Sequence, residues 1–134
     1  MTPLQKPFRI VIADDDSTTC SVLRLLLQEH GHQVVGEAHD GEKAVDMCEM
    51  HKPDIAFLDI QMPRMTGHEA ARRIVDRTPD VGIIIVSAVP TLENVQAALQ
   101  AGAASFVVKP FNAVKVVDAI EQCRRQKMRQ SSSP

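Results

Sequence analysis

The chain has 134 residues, 44% hydrophobic and 24% charged, and its 15 Lys plus Arg against 17 Asp plus Glu leave a formal net charge of −2. That length fits one domain able to bury about two-thirds of its unfolded surface, and that charge excludes a strongly basic nucleic-acid footprint over the whole chain. No apolar run approaches the ~20 residues of a membrane span, Met1–Lys6 lacks the apolar core of a secretory signal, and the absence of Trp and Tyr argues against binding by aromatic stacking.

Five apolar, mostly β-branched runs occur in order at Phe8–Ala13, Val34–Ala38, Ile55–Leu58, Val81–Val86 and Ser105–Val108. Near-continuous hydrophobicity, rather than alternation, suits strands covered on both faces of a parallel sheet. Ile83, Ile84, Ile85 and Val86 mark the fourth run as central. Helical spacing fills the gaps. Residues 17–30 carry Val22, Leu23, Leu26 and Leu27 on one face, with Ser17 placed to cap the start and Gly31 to end it. Residues 42–51 carry Ala44, Val45, Met47 and Cys48; residues 67–77 carry Ala70, Ala71, Ile74 and Val75. Residues 92–101 carry Leu92, Val95, Ala98 and Leu99, and a last helix runs from 113 to 127. On that helix Ala113, Val116, Ile120 and Cys123 face the sheet, leaving Val114 outward near Asp118, Glu121 and Arg125. Residues 1–7 read as a disordered lead, 8–127 as the domain, and 128–134 as a polar tail or linker.

Strand–helix alternation with right-handed crossovers gives an α/β fold, an open, doubly wound, five-stranded parallel sheet with five helices. Ligands in such sheets bind beyond the carboxyl ends of the strands, so the residues after each strand carry the chemistry. Asp14 and Asp15 follow the first strand and Asp59 the third, on neighbouring strands. Adjacent carboxylates repel unless a cation relieves them, and an all-oxygen set with open positions suits Mg²⁺ or Mn²⁺. Ser87 and Lys109 follow the fourth and fifth strands, where a hydroxyl and an ammonium can bind phosphoryl oxygens. Asp16 reads as surface acidity. The histidines show no convergent pattern, His68 beside Gly67 being the one near the site. Cys20, Cys48 and Cys123 have no metal-ligand spacing and read as thiols of a reducing, cytoplasmic compartment.

The ordered set Asp14–Asp15, Asp59-Ile-Gln-Met-Pro-Arg-Met-Thr-Gly67, Ser87-Ala and Lys109-Pro110 resembles the receiver domain of two-component response regulators, over residues 8–127. The resemblance implies a flavodoxin-like strand order of 2-1-3-4-5. It implies Asp59 as phosphoacceptor for a phosphohistidine on a histidine kinase or histidine phosphotransfer protein. Asp15, Asp59 and the backbone carbonyl of Gln61 would ligate Mg²⁺, Asp14 acting largely through water. Lys109 would pair with Asp59 at rest, aimed by a cis Pro110, and Gly67 would serve a tight backbone entry into the third helix. Ser87 and Phe106 would relay the signal to the surface of the fourth helix, fifth strand and fifth helix. That surface, around Val114, Asn94 and Gln96, would regulate a downstream protein or a linked output domain, or dimerise. Gln61 and Val89 flank the path of a hydrolytic water and leave the phosphate lifetime unassigned.

The resemblance implies a signalling switch rather than a turnover enzyme, with no direct contact to nucleic acid or membrane. Two rival readings are a flavodoxin-like redox carrier and an aspartyl-phosphate phosphatase. The first needs a phosphate-cradling loop where this chain is acidic; the second needs an acid at position 61, which is Gln. The chain reads as a stand-alone receiver, with excision from a longer regulator as the alternative.

Overall fold

A computed structural model describes residues 6–131, and the elements alternate throughout. In chain order they are β1 (Arg9–Ala13), α1 (Ser17–Glu29), β2 (Gln33–Ala38), α2 (Gly41–His51), β3 (Ile55–Asp59), α3 (Gly67–Arg77), β4 (Gly82–Ser87), α4 (Leu92–Gln100), β5 (Ser105–Val108) and α5 (Ala113–Ser131). The sheet order is β2-β1-β3-β4-β5 and every pair is parallel. The doubly wound architecture expected from the sequence and the 2-1-3-4-5 order implied by the resemblance are both observed.

Alternation along each strand sorts its residues between two cores. Ile10, Ile12, Ile55, Phe57, Ile84 and Val86 point to the face covered by α1 and α5. Val11, Ala13, Ala56, Leu58, Ile83 and Ile85 point to the face covered by α2, α3 and α4. β3 is buried along its whole length, which places the end of β3, Asp59, at the centre of the sheet's carboxyl edge.

Each helix starts on a side-chain cap. Asp16, Asp40, Thr66, Thr91 and Asn112 accept from the backbone N–H groups of Thr18, Lys43, Glu69, Asn94 and Lys115. Each cap contributes about 1 kcal/mol. The cap of α1 is therefore Asp16, not the expected Ser17, because the helix begins one residue earlier in phase and Ser17 is already helical. Asp16 is thus a structural acid that also binds the Thr19 hydroxyl.

Two helical faces differ from expectation. On α1, Cys20, Leu23 and Leu27 are buried while Val22 is exposed. On α4, only Ala98 is fully buried, and Leu92 and Leu99 stand 73% and 61% exposed. α4 packs toward β5 through Ala98 and leaves its leucines in solvent. α5 runs to Ser131, past the 127 boundary and into the expected 128–134 tail. No Gly or Pro interrupts 113–131, and Gln, Lys, Met and Arg at 126–129 are good helix formers. Positions 132–134 and 1–5 lie outside the described residues. Lys6 and Pro7 lead into β1, with the Lys6 carbonyl held by Arg124 at 3.1 Å.

Candidate functional site

At the carboxyl edge the β1, β3 and β5 ends bring charge together. Carboxylate oxygens of Asp14, Asp15 and Asp59 all lie within 4.8 Å of one another. Asp14 and Asp59 are buried and Asp15 is exposed, so the cluster opens to solvent on the Asp15 side. Lys109 Nζ donates to Asp14 Oδ2 at 2.8 Å and sits 3.5 Å from Asp59 Oδ2. The sequence expectation paired Lys109 with Asp59; the shorter bond is to Asp14, whose carboxylate lies on the strand between β2 and β3.

Asp14 is fastened at every polar atom. Its N–H donates to the Ala38 carbonyl at 3.0 Å, and its Oδ1 accepts from Asp16 N–H at 2.9 Å. Its carbonyl accepts from His39 Nδ1 at 3.0 Å and from the Cys20 thiol at 3.5 Å. Since a carbonyl only accepts, the His39 proton sits on Nδ1.

The charge balance is incomplete. Burial, followed by the charge of Asp14, pushes the Asp59 carboxyl up to about 6, against the opposing pull of Lys109 and the Gln61 N–H. Burial alone would depress the Lys109 ammonium, but its bonds and charges from Asp14 and Asp59 prevail and hold it above the ordinary lysine value. A further cation fits this cluster: an oxygen-only donor set, open to water on one side, with excess negative charge.

The loop after β3 is pinned close beneath the site. Gly67 N–H donates to the Ile60 carbonyl at 2.9 Å. A Cβ on Gly67 would come within 2.2 Å of the Asp59 carbonyl oxygen, so only glycine fits there. The Lys109–Pro110 peptide is cis. Ser87 is buried, and its hydroxyl accepts from Val89 N–H at 3.0 Å rather than bonding to the carboxylates. Asn94 Nδ2 holds the same loop through the Val89 carbonyl at 2.8 Å. Phe106, on β5, is half-buried against the core under α4. The structure thus joins Asp14, Asp15, Asp59 and Lys109 directly, while Ser87 and Phe106 lie along the adjoining β4 and β5. The main-chain N–H of Gln61 bonds to Asp59, and its side chain is exposed. The sequence reads Cys20 as a plain thiol and gives His39 no place at the site, so it misses their bonds to the Asp14 carbonyl. The order β2-β1 was the signal for His39, because the residue after β2 must lie beside the residue after β1.

Comparison with known proteins gives one answer. The family model for the response regulator receiver domain matches residues 10–121. The chain is 38% identical over 115 residues to the transcriptional regulatory protein PdtaR of Mycobacterium tuberculosis, covering 86% of this chain and 56% of that protein. It thus spans about half the length of that relative. It is 38% identical over 114 residues to the chemotaxis protein CheY of Thermotoga maritima, covering 85% of this chain and 95% of CheY. Among solved structures, the receiver domain of the response regulator NarL from M. tuberculosis superposes with TM-score 0.82 at 33% identity, covering 90% of this chain and 98% of that one. CheY in a CheX-CheY-BeF3-Mg complex from Borrelia burgdorferi gives TM-score 0.82 at 33% identity, covering 85% and 87%. This chain belongs to the response regulator receiver domain family.

Proposed function

We propose that the domain accepts a phosphoryl group on Asp59 from a phosphohistidine of a histidine kinase or histidine phosphotransfer protein. The observation that carries this reading is the under-compensated cluster of Asp14, Asp15 and Asp59 beside Lys109. An Asp59 oxygen forms the new bond to phosphorus as the phosphorus–nitrogen bond of the donor breaks, and the imidazole leaves with the electron pair and takes a proton. Asp15, Asp59 and the Gln61 carbonyl would hold Mg²⁺ (or Mn²⁺), Asp14 acting on it through water, and the cation would supply positive charge against the phosphoryl oxygens. Lys109 exchanges part of its bond with Asp14 for a phosphoryl oxygen. Ser87 leaves Val89 for another, and Phe106 follows inward, which alters the α4-β5-α5 surface for a downstream protein, a linked output domain or a second copy. Such a change biases two existing arrangements rather than building a new one.

The groove beside Lys109, lined by Thr18, Val22, Pro110 and Phe111, suits docking of the donor. Exposed Val22 gains a role there that its expected core position did not give it. Phosphoryl acceptance makes the chain a switch rather than a turnover enzyme. The three buried free thiols support a reducing, cytoplasmic setting, and among the described residues no helix is long and apolar enough to cross a membrane.

Incubation with acetyl phosphate and Mg²⁺, read by intact-mass spectrometry, should add one base-labile phosphoryl group to the parent and none to Asp59→Asn. Equal labelling of the variant would place the acceptor elsewhere. Sustained turnover of a generic phosphomonoester would instead favour the phosphatase reading.

A further inference from the structure

The amino ends of the strands hold a second cluster, far from the carboxylates. Phe8, just before β1, and His32, just before β2, stack with ring centroids 5.8 Å apart and planes 15° from parallel. Arg124 of α5 covers Phe8, its guanidinium carbon 4.3 Å from the ring centroid, and donates through Nη1 to the Lys6 carbonyl at 3.1 Å. The Phe8 N–H donates to His32 Nδ1 at 3.0 Å, and the Phe8 carbonyl accepts from Gln33 N–H at 2.9 Å. The imidazole thereby supplies one more rung to the β1–β2 ladder, just ahead of the Arg9–Gln33 register pair. Gly31, at φ +85°, turns the chain out of α1 and presents the His32 ring to that position.

This geometry fixes a protonation state. A main-chain N–H can only donate, so Nδ1 must offer its lone pair and the ring is neutral with its proton on Nε2. A second proton would set N–H against N–H and add a cation beside a guanidinium. The charged and titratable groups facing His32 are Arg124 and Glu121 from α5 and His30 from the end of α1. Glu121 is bonded to Arg124 Nε at 3.3 Å. Burial, then Arg124 and His30, hold His32 below the ordinary histidine value, and Glu121 opposes them weakly.

We propose that His32 is a pH-sensitive latch, which when neutral fastens the Lys6–Phe8 lead-in to β2 and α5 and when protonated releases it together with the Arg124 clasp. The latch lies at the amino ends of the strands, opposite the carboxylate cluster at their carboxyl ends.

NMR on the full ¹⁵N-labelled chain tests it. At about pH 7.5 the His32 ring should show the Nε2–H tautomer. Between about pH 7 and pH 5 the Phe8 amide should lose roughly three- to tenfold of its hydrogen-exchange protection, after correction for intrinsic rates, in step with the His32 ring's own titration. In His32→Asn, whose Oδ1 accepts but does not titrate, that pH dependence should vanish. If the Asn side chain falls short of Phe8, protection is low at both pH values and the dependence vanishes equally. An Nδ1–H tautomer, unchanged Phe8 protection in the parent, or the same pH-dependent loss in His32→Asn would each overturn the latch.

Discussion

At the carboxyl ends of the strands, Asp14, Asp15 and Asp59 crowd within 4.8 Å against the Lys109 ammonium. At the amino ends, a neutral His32 stacks on Phe8 beneath the Arg124 guanidinium. The same sheet supports both, yet protons act on them in opposite directions. Asp59 has a folded-state value raised to about 6 from 3.8. The folded chain therefore binds the proton more readily than the unfolded one, and acid relieves a burden fully present above about pH 6. His32 is lowered, so the unfolded chain binds the proton more readily. Its contribution is complete above the ordinary histidine value and is lost as pH falls through the folded value. His68 acts with the same sign as His32: burial, then Arg72, lowers it, and both ring nitrogens are buried without a partner among the described residues. The carboxyl-end cluster, the upper pole, thus suits a cation, and the amino-end cluster, the lower pole, excludes a proton.

Removing the charge at the upper pole should give the largest effect. The Asp59 shift corresponds to roughly 3 kcal/mol of unfavourable charge at neutral pH. Asp59→Asn should accordingly raise the melting temperature by about 5–10 °C near pH 7.5 without Mg²⁺, while abolishing phosphorylation. The gain should shrink near pH 5, where the parent carboxyl is already taking up its proton. Calorimetry at the two pH values checks this. A variant less stable than the parent at both would mean that Lys109 and Asp59 form a net stabilising pair.

Mg²⁺ should offer a second, smaller relief at the same pole. At about tenfold its dissociation constant it should stabilise the parent by about 1.4 kcal/mol. Asp15→Ala should lose most of that increment with little change in metal-free stability, because Asp15 is exposed. An undiminished Mg²⁺ shift in Asp15→Ala would remove that residue from the ligand set. The lower pole should respond to neither treatment. Arg124→Ala, which deletes the cover over Phe8 and the bond to Lys6, should cost about 1 kcal/mol and leave the Mg²⁺ increment intact. A smaller Mg²⁺ shift in that variant would couple the two poles and break the contrast.

The strands and the residues at their ends were legible in the chain itself, while the order of the strands in the sheet came only through the family resemblance. Apolar runs gave the strands, and the residues directly after them gave Asp14, Asp15, Asp59, Ser87 and Lys109. Helical periodicity was less reliable at the surface. It assigned Leu92 and Leu99 to a core that α4 reaches with Ala98, because spacing identifies a stripe without saying how closely the helix approaches the sheet. Partner choice was least legible. Lys109 lies between two carboxylates from different strands, 2.8 Å from Asp14 and 3.5 Å from Asp59, a difference that residue order does not express. The Phe8–His32–Arg124 stack joins three segments that share no local pattern, so nothing in the sequence set His32 apart from the other histidines.

His39 gives the finest test of how the upper pole is held. Its Nδ1–H and the Cys20 thiol both donate to the Asp14 carbonyl, so losing the imidazole leaves that oxygen one donor. The cost to folding is then at the low end for a hydrogen bond, about 0.5 kcal/mol or less. The Asp14 carbonyl that His39 holds belongs to the peptide linking Asp14 to Asp15, the exposed member of the cluster. A small tilt there changes how an Asp15 oxygen meets a cation while leaving the core of β1 undisturbed. His39→Phe should therefore weaken Mg²⁺ binding about two- to threefold, read by titration calorimetry, with a metal-free melting temperature within about 2 °C of the parent. His39→Asn, whose side-chain N–H₂ can donate to the same carbonyl, should recover part of the affinity. If His39→Phe instead melts several degrees lower and binds Mg²⁺ as the parent does, the imidazole braces the loop without orienting the carboxylates.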